Sequence, residues 1–309
     1  MKKALVAGAT GGMGYALVQE LTARGVEVVA FSRGKTKLEE LYNGKSLVTI
    51  FPGDALNQHE LLAAAEGTDV IFHSVSFPYP EWQEKHLACI ENMIVAAETH
   101  QAKVVLVDNI YGYGKQSGQP ITENAPKEPH TKKGKIRLEM ENRLKGSGFP
   151  VLVVHLPDLY GPNAHSTILY ETLKNVVENK KANFVGNPNV AREFLYTIDA
   201  AKAIVELATR EDTYNRNWNI PSPGPITGEE LIAIIREVTG YQKPIRIVSK
   251  RMIQFIGLFS PFMRELVEMM YLTETPVLLS GEKYKTEIGP LPRTPYKQGL
   301  QETIKWMHK

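Results

Sequence analysis

The stretch Ala4-Leu5-Val6-Ala7-Gly8-Ala9-Thr10-Gly11-Gly12-Met13-Gly14-Tyr15-Ala16-Leu17-Val18-Gln19-Glu20-Leu21 begins as a short apolar run. It passes through glycines at Gly8, Gly11 and Gly14 and continues with Leu17, Val18 and Leu21 at helical spacing. The reading is strand, glycine loop, helix. Glycine has no Cβ, so the backbone can turn sharply there and approach a pyrophosphate closely. The following helix offers unpaired N–H groups and the positive end of its dipole to phosphate oxygens. Gly8-x-x-Gly11-x-x-Gly14, with Thr10, Gly12 and Met13 in between, is therefore expected to hold the diphosphate of a dinucleotide.

Outward from this loop, apolar β-branched runs at 26–31, 47–51, 70–73, 103–107 and 151–156 alternate with helical patterns at 36–42, 57–66, 84–100 and 130–146. Near-continuous apolar strands joined by helices mean a parallel sheet covered on both faces. The fold expected is an α/β, Rossmann-type doubly wound parallel sheet with a smaller, mostly C-terminal substrate lobe. After Pro157 the rhythm loosens: helices are expected at 166–179, 228–239 and 296–309, a strand running into a helix at 193–207, and a short strand at 245–248. Residues 1–160 are assigned to the sheet domain, with 190–215 returning to it; 161–189 and 216–309 are assigned to the smaller lobe.

Composition narrows the function classes. The 309 residues are 43% hydrophobic and 23% charged, an ordinary globular balance. A net charge of +2 gives no broad footprint for nucleic acid or a membrane surface. The single cysteine, Cys89, excludes an internal disulfide and a multi-cysteine zinc site, and its helical setting beside Leu87 and Ile90 reads as a buried, inert thiol. The histidines show no HExxH-type spacing, so no metal is expected. Only four apolar residues separate Met1-Lys2-Lys3 from Gly8, too few for a signal-peptide core. The expectation is a cytoplasmic protein acting on a small molecule, with neither nucleic acid nor membrane as partner.

The end of the second strand bears on the cofactor. A site for NAD usually carries Asp or Glu there for the ribose 2′-hydroxyl. Here the sequence is Ser32-Arg33-Gly34-Lys35, without an acid. A guanidinium suits a 2′-phosphate through its fork of donors, so NADP is expected over NAD.

With these residues in view, the chain resembles the extended short-chain dehydrogenase/reductases, the NAD-dependent epimerase/dehydratase group. The resemblance runs over nearly the whole chain: the glycine loop, Gly53-Asp54, the strand ending at His73-Ser74, Tyr113-Gly114, Leu159-Tyr160-Gly161-Pro162, Arg192 through Ala201, and Trp218-Asn219-Ile220. It implies Asp54 at the adenine and His73 along the cofactor. The family's catalytic Ser, Tyr and Lys would fall on Asn109, Thr131 and Lys135, with Glu139 following. An aliphatic hydroxyl at Thr131 lies far above a phenol in pKa and cannot simply replace it.

Three readings stay open at this point. A displaced phenol, Tyr111 or Tyr160, or else water or an organised network, does the proton work of an oxidoreductase on a small carbonyl compound, with Asn109 orienting substrate and Lys135 at the nicotinamide ribose. Alternatively, the chain is a nucleotide-sugar epimerase or dehydratase, or a non-catalytic NADP(H)-binding sensor. The Met- and Phe-rich stretch 252–271, broken at Pro261, reads as core or as the interface of a homodimer, or else as an apolar substrate wall.

Overall fold

In the computed structural model, which describes residues 1–308, the quoted stretch forms β1 (Lys3–Ala7) running into α1 (Gly12–Ala23). There follow β2 (Glu27–Ser32), α2 (Lys35–Tyr42), β3 (Val48–Pro52), α3 (Gln58–Ala65), β4 (Val70–His73), α4 (Trp82–His100) and β5 (Lys103–Asn109). Next come the short β6 (Pro120–Ile121), α5 (Lys132–Lys145) and β7 (Val151–Leu156). The second half holds β8 (Asp158–Tyr160), α6 (Ile168–Val177), β9 (Ala182–Val185), β10 (Phe194–Tyr196), α7 (Thr197–Ala208) and β11 (Arg216–Asn219). It closes with α8 (Gly228–Thr239), β12 (Ile245–Val248), α9 (Lys250–Gly257), α10 (Pro261–Val267), β13 (Leu278–Leu279), α11 (Glu282–Glu287) and α12 (Tyr296–Met307).

Seven strands form one parallel sheet in the order β11-β7-β5-β4-β1-β2-β3. Side chains alternate faces along each strand. Ala4 and Val6 of β1, Val105 of β5, and Leu152 and Val154 of β7 point to the core under α1 and α7. Leu5, Ala7, Val104, Leu106, Val151 and Val153 point to the core under α3, α4 and α5. Helices on both faces are why these strands are apolar at every position, the pattern expected of a doubly wound sheet.

One boundary differs from the sequence reading. The sequence assigns residues from 216 to the smaller lobe, yet β11 pairs in parallel with β7 and completes the main sheet, with Tyr284 of α11 packed in the same core. Arg216-Asn217-Trp218-Asn219 is too short and polar to announce a sheet strand; only the exposed edge of β7 gives it a partner. Within 190–215, α7 packs beside α1 on one face of the main sheet, whereas Phe194 and Tyr196 of β10 enter the core of the smaller lobe and β10 pairs with β8. The smaller lobe has its own core, built from Leu169 and Leu173 of α6, Phe184 of β9, Leu231 and Ile235 of α8, and Leu300 and Ile304 of α12. Cys89 is fully buried in α4, and burial pushes its thiol up to about 12. No described helix is long and apolar enough to cross a membrane.

Candidate cofactor and active site

Because the seven strands are parallel, their carboxyl ends lie along one edge of the sheet. The glycine loop, Ser32-Arg33, Gly53-Asp54, His73-Ser74, Asn109 and Asp158 all follow strand ends on that edge. Crevices of this kind hold ligands in open α/β folds.

The loop is shaped for a diphosphate. Gly8 has φ of +89°, and a Cβ there would stand 2.8 Å from the Ser74 backbone. At Gly14 a Cβ would stand 2.1 Å from the Gly8 carbonyl oxygen, so both positions require bare backbone. Gly11, the N-cap of α1, supplies no side-chain cap, and the first helical turn carries no acid. Its N–H groups and dipole are left for an anion. Thr10 Oγ1 lies 2.7 Å from Ser32 Oγ, which ties the loop to the end of β2. Met13 is buried in the core beneath the loop. Arg33 is exposed, while Lys35 and Lys37 pair with Glu39 at 3.9 Å and Glu40 at 3.0 Å. The Arg33 guanidinium has no ion pair among the described residues. Asp54 Oδ1 accepts the Leu56 N–H at 3.0 Å, fixing the turn after β3. These residues fit a nicotinamide dinucleotide: bare backbone and open N–H groups for the diphosphate, with an exposed guanidinium at the end of β2.

His73 is buried at the end of β4 with neither ring nitrogen hydrogen-bonded. Burial, with the Arg137 charge in support, holds it down at about 3, so the ring is neutral. Asn109 ends β5 and accepts the Tyr111 N–H through Oδ1 at 2.9 Å, leaving its amide N–H₂ free to donate. The Tyr111 hydroxyl lies 2.9 Å from the Tyr79 hydroxyl. Burial pushes the Tyr111 phenol well up, with nearby Tyr79 and Asp158 adding to the shift and Arg137 opposing it. Tyr79 is raised to about 12, again chiefly by burial. Around the two phenols stand Trp82, stacked on Tyr111 at 6.1 Å, and Phe262, stacked on Tyr79 at 5.6 Å.

The charged side chains that reach this cluster are not the expected ones. Lys135 is exposed on the outer face of α5, and Glu139 beside it pairs with Arg143 at the surface at 2.8 Å. Thr131 is the N-cap of α5, its Oγ1 accepting the Gly134 N–H at 3.0 Å, so its hydroxyl oxygen is engaged in holding the helix end. The inward face carries Lys133 and Arg137. Lys133 is 1% exposed, with Nζ 2.6 Å from Glu265, 2.8 Å from Glu268 and 4.8 Å from the Tyr79 ring centre. Arg137 lies 3.4 Å from Asp108 and over the Trp82 ring at 4.8 Å. Both phases offer the spacing of four residues; burial of Met140 and Leu144 chooses Lys133 and Arg137. Had the apolar phase of α5 been followed from Met140 and Leu144, the sequence would have pointed to this pair. Tyr79 carried no such signal, because its placement depends on the turn before α4. The alternative phenol, Tyr160, packs in the lobe core between Tyr196 at 5.5 Å and Tyr296 at 6.2 Å.

Behind Arg137 lies a buried polar network. Asp108, Glu141 and His155 converge within 4.8 Å, as metal ligands would. The Lys127 ammonium fills that position: it pairs with Glu141 and lies 2.9 Å from His155 Nε2. Against the opposing effect of burial, His155 and Lys127 hold the Glu141 carboxyl well below the usual range. Asp108 moves the other way, raised by burial despite Arg137.

The sequence profile of the NAD dependent epimerase/dehydratase family matches residues 4–220. A probable GDP-L-fucose synthase 1 of Oryza sativa subsp. japonica is 27% identical over 98% of this chain and 91% of its own length. A 2-alkyl-3-oxoalkanoate reductase of Shewanella oneidensis is 39% identical over a shorter stretch, 24% of this chain and 18% of that protein. The crystal structure of a dTDP-glucose 4,6-dehydratase from Bacillus anthracis in complex with NAD superposes with a TM-score of 0.82 at 18% identity, covering 100% of this chain and 97% of that one.

Proposed function

The chain belongs to the NAD-dependent epimerase/dehydratase family, and on that premise we propose that it is an NADP(H)-dependent reductase of a small, apolar carbonyl compound. Gly8, Gly11, Gly12 and Gly14 hold the diphosphate, Thr10 and Met13 shape the loop, Arg33 meets the 2′-phosphate and Asp54 the adenine side. His73 lines the nicotinamide side as a neutral wall. Arg137, and not Lys135, supplies the cation beside the crevice. The dinucleotide, when bound, supplies the hydride.

The observation that carries this reading is the Tyr111 phenol, half-buried, protonated and hydrogen-bonded only to Tyr79 among the described residues. A phenol raised in this way stays protonated near neutral pH and so takes no proton from an alcohol. It remains a competent donor to a nascent alkoxide, whose conjugate acid is nearly as weak as water. Tyr111 donates its proton to the carbonyl oxygen as that oxygen becomes an alkoxide, and the Asn109 amide N–H orients it. The Tyr79 hydroxyl returns a proton to Tyr111 and regains one from solvent, which its half-buried side chain can meet, with the Lys133 ammonium over its ring offsetting the transient negative charge. The aromatic wall of Tyr79, Trp82 and Phe262 favours an apolar substrate. The Shewanella relative, a 2-alkyl-3-oxoalkanoate reductase, agrees in class.

The test is NADPH oxidation followed by absorbance with a panel of alkyl 3-oxo compounds. Tyr111→Phe keeps the Trp82 stack and is expected to lower kcat roughly 10²–10⁴-fold; Arg33→Ala is expected to weaken NADPH by about tenfold or more while leaving NADH unchanged. Interconversion of a nucleotide sugar without net NADPH loss would replace this reading with that of the dehydratase neighbour. Tight NADPH binding without turnover on any substrate would make the protein a sensor.

A further inference from the structure

The near-neutral charge of the whole chain conceals a local segregation. From Tyr241 to Arg264 there are five basic residues, Lys243, Arg246, Lys250, Arg251 and Arg264, and neither Asp nor Glu. The same segment forms β12, α9 and the start of α10, and at its tip stand Phe255, Ile256, Leu258, Phe259 and Phe262, between 42% and 80% exposed. Phe255 and Phe259 meet edge to face at 6.1 Å. α9 turns Ile253 and Gly257 inward. α10 crosses close to Gly257, where a Cβ would lie 3.1 Å from the Arg264 backbone, so the hairpin is a tight, shaped unit. Arg246 and Arg251 are exposed and make no ion pair among the described residues.

From this we propose that the α9–α10 hairpin docks on an anionic lipid bilayer, its aromatic tip entering the headgroup boundary while Arg246, Arg251 and Arg264 face the phosphates and Lys250 stays with Glu274 at 3.2 Å. Large apolar side chains on one side and basic residues around them are the composition of interfacial helices. An exposed apolar cluster of this size is otherwise a liability for a chain in water. A second copy of the chain is the poorer occupant. A two-fold interface sets the same patch against itself, and would bring two acid-free basic segments together. The tip also reaches the site, because Phe262 stacks on Tyr79.

The experiment is flotation of the full chain with vesicles of phosphatidylcholine alone and of phosphatidylcholine mixed with phosphatidylglycerol. The chain is expected to float with the anionic vesicles, to remain behind with the neutral ones, and to be released by salt. Phe255→Asp with Phe259→Asp, at the two most exposed positions, is expected to abolish flotation at an unchanged urea midpoint. Arg246→Ala and Arg251→Ala are each expected to weaken binding about fivefold. The proposal is overturned if the wild-type chain stays in solution with anionic vesicles. It is equally overturned if flotation survives both sets of substitutions, or if the aspartates dissolve a homodimer that does not float.

Discussion

Single atoms decide the loop. At Gly14 the missing methyl is the whole reason that Gly8 and α1 can lie together, since its Cβ would fall 2.1 Å from a carbonyl oxygen that cannot move without unfolding the turn. Gly14→Ala is accordingly expected to abolish dinucleotide binding, measured by calorimetric titration with NADPH. Gly25→Ala supplies a control in the same α1–β2 unit: φ there is +76° but a Cβ meets nothing within 4 Å. It should cost only the strain of a left-handed alanine, about 1 kcal/mol, and leave binding intact. The loop was legible residue by residue because its requirements are local: glycine where backbone meets backbone, and no carboxylate where β2 ends.

Helix α5 shows where such local reasoning stops. Its sequence is charged almost throughout, so two inward faces were available, Thr131–Lys135–Glu139 or Lys133–Arg137–Glu141. Packing against α4 and β7 buries Met140 and Leu144, and the second face follows. The two lysine positions should therefore respond differently. Lys135→Ala is expected to change stability by less than about 0.5 kcal/mol, as at an ordinary surface site. Arg137→Met strands the buried Asp108 carboxylate and is expected to cost roughly 3–5 kcal/mol, with Asp108→Asn recovering much of the loss. Urea unfolding of the three variants and the double variant checks both statements. Arg137→Met with normal stability would return the site to Lys135.

Across the whole molecule, burial without partners sets the acid limit of the fold. His73 and His86 are both enclosed with no hydrogen bond to either ring nitrogen. Burial, and then Arg137, depress both: His73 to about 3, and His86 further. Their folded values lie below the ordinary 6.5, so the unfolded chain binds more protons in between, and stability falls as the pH drops below about 6.5. Between pH 7 and pH 5 each ring is expected to remove about 2 kcal/mol. Urea unfolding at the two pH values, repeated on His73→Leu with His86→Leu, should show a flatter pH dependence for the variant. An unchanged slope would place the acid sensitivity elsewhere.

What the chain's own order specified was everything that depends on neighbours within a turn or a strand: the glycine loop, the alternation of apolar strands and helices, the acid-free end of β2, the inert Cys89. Tertiary packing alone decided the rest. β11 became a sheet strand because β7 offered an edge, and Lys133 rather than Lys135 turned inward because Met140 and Leu144 had a core to enter. Tyr79 came to Tyr111, and Glu265 and Glu268 to Lys133, across gaps of 32, 132 and 135 residues. The physical reason is common to all of these. Dihedral preference and apolar periodicity act through a few successive residues, whereas the partner of a buried charge or phenol is whatever the folded chain brings alongside it.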